Sequence, residues 1–351
     1  MGLKMKEIIK INNIVSMYKE PVFGTVSAEK RVMALAIDKE SKNPILGLAR
    51  EITRSRGSVD VPGFIDESKL IIVESLDGLK WKKVKDLEIE GIEEVIKKIS
   101  GSDKYFIGLE DPDIWTDEKW VKHVYFTIAF KVLNKLDIYK IYLGHAFGKS
   151  LENLEATEAV LGPVGEEICG FKEACISPEI NGKRINLNEM GIMDGENWVS
   201  AISFSEAKEM SKPWKYLGIT LDPRKMKYDW CKGHLSPCKL LPREFVSVDF
   251  DKDLLVGIVN GREKEKIIDG KKIYGKFNPG LILFNPKTGE IPRISSEPLF
   301  EDPDARTITF ASDFFISEKK GGILYAHVND SFVRAYKINP DELKKLLPEK
   351  I

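Results

Sequence analysis

IIVESLDGLKWKKV (71–84) reads as an apolar strand, a short polar turn and a second strand with an aromatic anchor. The pattern recurs in IYLGHAFGKSLENLEA (141–156), SAISFSEAKEMSKPWKYL (200–217), LILFNPKTGEIPRI (281–294) and VRAYKINPDELKKL (333–346). The starts at 71, 141, 200, 281 and 333 lie about 65 residues apart on average, which suits blades with elaborated inner loops. Five such units predict an all-β fold, a five-bladed β-propeller in which each blade buries its faces against its neighbours. The ring is then one cooperative domain over 1–351, with an N-terminal extension (1–20) and a C-terminal helical tail (340–351). No Gly/Ser linker divides it.

The intervening sequence agrees. RVMALAI (31–37), HVYFTIAF (123–130), KIYLGHAF (140–147), WVSAISF (198–204), LLVGIVN (254–260), TITFASDFFI (307–316) and GILYAHV (322–328) are short, rich in β-branched and aromatic residues, and bounded by turn formers. Helical periodicity is confined to 90–99 and 340–347, where Pro340 suits a first turn.

Composition excludes several classes. With 54 Lys+Arg against 55 Asp+Glu and a net charge of -1, the 351-residue chain has no general basic field for nucleic acid. The longest apolar runs, LIIV (70–73) and GLILF (280–284), are too short to span a bilayer. MGLKMKEIIKINN lacks the features of a signal peptide, so a soluble, cytoplasmic protein without a membrane partner is expected. Cys169, Cys175, Cys231 and Cys238 are not at zinc-site spacing and read as small buried hydrophobes. His123, His145, His234 and His327 form no i, i+4 pair, so no metal is expected. GHAFGKS (144–150) is one residue short of a phosphate-binding loop and sits between strands. The chain contains no glutamine and abundant Lys, Glu and Ile, a composition suggesting a thermophile.

In a propeller, polar residues at the starts of the innermost strands converge on one funnel. Four segments supply them. GLEDPDIW (108–115) offers Glu110 and Asp111, and EACISPEINGK (173–183) offers Glu173 and Glu179. DWCKGHLSPCKLL (229–241) offers Asp229, Lys232 and His234, and EDPDARTITFASD (301–313) offers Asp302, Asp304 and Asp313. Taken singly, an acid at a strand start most simply caps a turn. Carboxylates converging from several blades, with few cations, suit glycosidic bond cleavage, which needs one protonated acid and one charged partner. Trp115 and Trp230 lie beside these segments and are candidates to stack on a sugar, although core packing is their simpler role.

Taken in order, these segments resemble glycoside hydrolase family 130, over about residues 43–340. The resemblance implies a five-bladed propeller acting on β-mannosides by phosphorolysis or hydrolysis. The family's EDPR motif matches Glu110-Asp111-Pro112, which puts its general acid on Asp111; Asp113 stands in place of the motif's arginine. Arg50, in GLAR, resembles the arginine of the family's first blade. Lys172 and Glu173 to Glu179, followed by Ile180-Asn181-Gly182, resemble its lysine- and asparagine-bearing segment, with Glu173 where the family has a phosphate-contacting asparagine. Lys232 to Cys238, including His234, resembles its glycine- and proline-rich segment. Asn260 takes the place of a phosphorylase histidine, and Asp304 matches the family's aspartate before the last blade.

The departures favour hydrolysis. A carboxylate at Glu173 repels phosphate but can activate water, so Asp111 as acid and Glu173 as base are expected, about 6.5–9.5 Å apart as in an inverting enzyme. Arg50, Glu110, Lys172, Glu179, Asp229, Lys232, His234, Asn260 and Asp304 are then the substrate-binding candidates. No redox cofactor is expected, and inorganic phosphate is a co-substrate only if the enzyme is a phosphorylase. Three alternatives stay open: phosphorolysis to mannose 1-phosphate, an arabinan- or xylan-cleaving propeller, and a propeller that binds carbohydrate or protein without catalysis. The partner is a small oligosaccharide. The family often oligomerises, and residues 1–20 are the segment expected to mediate a homo-oligomer.

Overall fold

HVYFTIAF shows no polar alternation because both faces of its strand are buried. Val124 and Phe126 pack towards one neighbouring sheet and Tyr125 towards another. The computed structural model describes residues 7–133, 135, 138–195, 197–317 and 321–347. It is built almost wholly of antiparallel strands, with short helices at Ile92–Ile99 and Pro340–Lys344. No helix among the described residues is long and apolar enough to cross a membrane.

The strands form five antiparallel meanders in chain order. The first contains Val32–Ile37, Ile45–Arg56, Ile65–Ser75 and Lys82–Asp86. The second contains Lys104–Thr116, Lys122–Val132, Tyr139–Ser150 and Asn153–Ala156. Ile168–Cys175, Arg184–Asp194, Asn197–Ala207 and Lys215–Leu221 make the third. The fourth has His234–Leu240, Leu255–Arg262, Phe277–Phe284 and Arg293–Ile294. The fifth has Thr309–Ser317, Gly321–Val328 and Phe332–Ile338, and takes its next strand, Val15–Tyr18, from the N-terminal region.

That last pairing corrects the expectation of an exposed N-terminal extension. Val15 lies opposite Ile338, and Val15, Met17 and Tyr18 are buried, because the outer strand of the fifth sheet comes from the other end of the chain.

Five apolar clusters lie one at each junction between sheets, the fifth sheet packing back on the first. The first strands also pack on one another in the same cyclic order. In the second to fifth sheets a parallel bridge joins the start of the first strand to the third strand of the preceding sheet, at Ser68/Gly108, Ile141/Gly170, Ser200/His234 and Phe277/Ile308. Two of these crossings need glycine. A Cβ on Gly108 would sit 2.2 Å from the Ser68 carbonyl oxygen, and one on Gly170 1.7 Å from that of Ile141. Both residues have positive φ (144° and 132°).

Candidate active site

The first strands all run the same way, and each carries a pairing irregularity near its middle. In the first three sheets a non-glycine residue at the irregularity is left-handed: Ala34 (φ 51°), Asp111 (φ 47°) and Glu173 (φ 51°). Such a bulge re-aims a side chain at a modest cost in strain, a pattern that clusters at functional sites. Asp111 and Glu173 each stand three residues after the close-approach glycine of their strand. Their side chains enter a cavity of about 810 Å³ to which all five sheets contribute.

Ion pairs order its floor. Arg50 bridges Glu110 (2.7 Å) and Asp111 (3.2 Å). Lys172 Nζ lies 3.7 Å from both Asp111 and Glu189. Fully buried Glu189 accepts from His234 Nε2 at 2.9 Å, while His234 Nδ1 has no partner among the described residues. On the fifth sheet His327 pairs with Asp330 at 3.2 Å and accepts the Ala34 N–H at 3.3 Å.

Glu173 donates a hydrogen bond to Asp111. Burial, reinforced by the Asp111 charge, pushes the Glu173 carboxyl well above its ordinary range. Burial acts on Asp111 too, but Arg50 and Lys172 outweigh it and hold that carboxyl below the usual value. Within the pair the surroundings therefore favour the proton on Glu173 and the charge on Asp111. Glu110 is pushed up to about 7, burial exceeding the pull of Arg50, with the Asp111 charge adding to the rise. Glu189 stays ionised despite burial because Lys172 and His234 face it. Burial pushes His234 down to about 4 against the pull of Glu189, so it is neutral and donates from Nε2.

Of the residues singled out in the sequence, Arg50, Glu110, Asp111, Lys172, Glu173 and His234 meet here. The others do not line the cavity. Glu179 follows the end of its first strand, opposite the cavity, and lies 3.7 Å from Arg184. Asp229 and Lys232 flank a short turn before the fourth sheet and pair with each other at 2.7 Å. Asn260 is fully buried and clips the fourth sheet to the fifth, donating to Ala311 O (2.9 Å) and accepting from Ala311 N (2.7 Å). Asp304 pairs with Arg334 at 2.8 Å in the fifth sheet. Trp115 packs on His123 and Arg184, and Trp230 is core. The four cysteines are free and buried.

The expected carboxyl separation of 6.5–9.5 Å is absent, since Glu173 and Asp111 are in hydrogen-bond contact. Asp113 faces away from the cavity. Farther along the first strands it meets Lys239, and Asp313 binds Lys39 (3.2 Å) and the Ile37 N–H (2.8 Å).

Sequence reasoning missed Glu189, Asp66, His327, Asp330 and the aromatic walls, among them Tyr139, Trp198 and Phe277. Most of these lie on second and third strands, where no motif marks them. One signal was present: the spacing Gly-x-x-acid at 108–111 and again at 170–173 pairs the two bulged carboxyls.

No family model and no curated protein matches the chain. Solved structures do. β-1,2-Mannobiose phosphorylase from Listeria innocua, in complex with β-1,2-mannobiose, superposes with a TM-score of 0.64 at 15% identity, covering 95% of this chain and 99% of that one. The chain shares its fold. Similar too is a structure reported for the GH130 family of mannoside phosphorylases, described as containing glycoside hydrolases that target β-1,2 mannosidic linkages in Candida mannan (TM-score 0.60, 15% identity, 94% and 90% covered). An endo-arabinase from Bacteroides thetaiotaomicron matches with a TM-score of 0.54 at 14% identity, covering 92% and 96%.

Proposed function

We propose that the chain is a divergent member of glycoside hydrolase family 130, that its five sheets are the blades of one five-bladed β-propeller domain, and that it hydrolyses a short β-linked oligosaccharide. The observation that carries the chemistry is the contact of Glu173 with Asp111 at the floor of a cavity, where the surroundings favour the proton on Glu173 and the charge on Asp111. Glycosidic cleavage needs that division of roles. This proposal assigns the two roles the other way round from the sequence-based expectation. Glu173 gives its proton to the leaving oxygen as the C–O bond breaks, and the Asp111 carboxylate stabilises the positive charge developing on the sugar ring. Water adds to the anomeric carbon, and the proton it gives up returns to the pair. A β-mannoside is the substrate class suggested by the mannobiose phosphorylase of the same fold.

Hydrolysis is favoured over phosphorolysis because Arg50 and Lys172, the cations nearest the pair, already face two carboxylates each. A phosphate dianion would have to displace those contacts. The test is incubation with β-1,2- and β-1,4-mannobiose, with and without phosphate. Free mannose formed without phosphate is expected. Mannose 1-phosphate formed only with phosphate would make the protein a phosphorylase, and no product from a wider saccharide panel would leave a binding propeller.

A further inference from the structure

The mouth of the cavity is ringed by the connections between second and third strands. In the fifth sheet this connection is the tight turn 329–331, whereas the first sheet has the loop 57–64 and the fourth the arm 263–276. The arm carries its own hairpin, Lys266–Ile268 paired with Lys271–Ile273. Loop and arm meet across the fifth sheet, where the Tyr274 N–H donates to the Asp60 carbonyl at 3.0 Å and Phe64 sets its edge on Tyr274 at 6.5 Å. The Asp60 carboxylate accepts from Thr307 Oγ1 at 2.6 Å and lies 3.1 Å from Arg306, both on the approach to the fifth sheet. One residue thus ties three sheets together. From Phe64 the rim continues: its carbonyl accepts from Tyr139 Oη at 3.1 Å, and Tyr139 meets Trp198 edge-on at 6.1 Å.

Val59, Phe64, Tyr274 and Thr307 all line the cavity, so this strap is one of its walls. We infer that Asp60 latches the strap and thereby sets the length of saccharide the site accepts, closing the cavity to chains that extend across the fifth sheet. This rests on the functional reading above. A volume near 810 Å³ is within the roughly 300–1,000 Å³ of small-ligand sites and suits an oligosaccharide of a few units.

The test compares wild type with Asp60→Ala, which removes the carboxylate contacts but keeps the backbone carbonyl, and with Thr307→Val as a milder second variant. Hydrogen exchange is read at 57–64 and 266–276, and binding of mannobiose and mannotetraose is measured by calorimetry in a Glu173→Gln background. Exchange in the two strap segments should quicken at least tenfold in Asp60→Ala. The affinity ratio of tetraose to biose should rise at least tenfold, with Thr307→Val intermediate. Unchanged exchange, or faster exchange with an unchanged ratio, would overturn the latch. If the parent binds these sugars but turns none over, only the functional reading falls, and the ratio still decides the latch. Absence of binding to every variant would overturn both.

Discussion

Asp111 and Glu173 occupy matching bulges on neighbouring first strands, and the carboxyl of one donates to the carboxylate of the other. Two carboxyls in contact cannot both ionise cheaply, so Arg50 and Lys172 decide which keeps its charge. Both cations lie against Asp111, and the proton stays on Glu173.

Replacing Glu173 by Gln, or Asp111 by Asn, should lower turnover at least about a hundredfold, the scale of losing proton transfer. Far-UV circular dichroism should be unchanged. Steady-state rates on the cleaved mannobiose check this, and a loss below tenfold in both variants would remove the pair from the mechanism.

Glu173 also predicts a pH effect on stability. Its folded pKa is raised, so the folded chain holds a proton that the unfolded chain releases above about 4.3. That contribution is complete below the unfolded value and fades as pH rises towards the folded one. Glu173→Gln should therefore gain in melting temperature over wild type at pH 8 and show little gain at pH 4.

His234 works in the opposite sense. Its pKa falls to about 4 in the folded chain, so stability is lost as pH drops from about 6.5 towards 4. His234→Gln, which keeps a neutral N–H donor for Glu189 but cannot take up a proton, should lose less across that window in thermal melts.

Arg50→Met should cost about 3–5 kcal/mol, since Glu110 and Asp111 would be left buried without their shared cation. Urea denaturation at pH 7.5 measures it. Arg50→Lys should be milder.

Asn260→Ala separates a structural from a ligand-binding role. Loss of two buried hydrogen bonds should destabilise the fold by about 2–4 kcal/mol. Turnover per folded molecule should stay within twofold of wild type.

Four of the five strand–turn–strand units, their order and both helices could be read from the sequence because strands buried on both faces must be continuously apolar; the fifth, 333–346, is instead a strand followed by the helix Pro340–Lys344. Gly108 and Gly170 mark where neighbouring backbones cross too closely for a side chain. The acids at 110, 111 and 173 were also legible as motif residues, but they stand at bulges inside the first strands and not at the strand starts where the sequence suggested them. Pairing of the N-terminal strand with the C-terminal one was not, since nothing local in Val15–Tyr18 names a partner more than three hundred residues away. Nor could the sequence separate Glu173 from Glu179, because the direction of the first strand decides which end reaches the cavity. Protonation lay further still from the sequence. Two carboxyls acquire different charges only when burial and the positions of Arg50 and Lys172 make their surroundings unequal, and those positions exist only in the closed arrangement of the sheets.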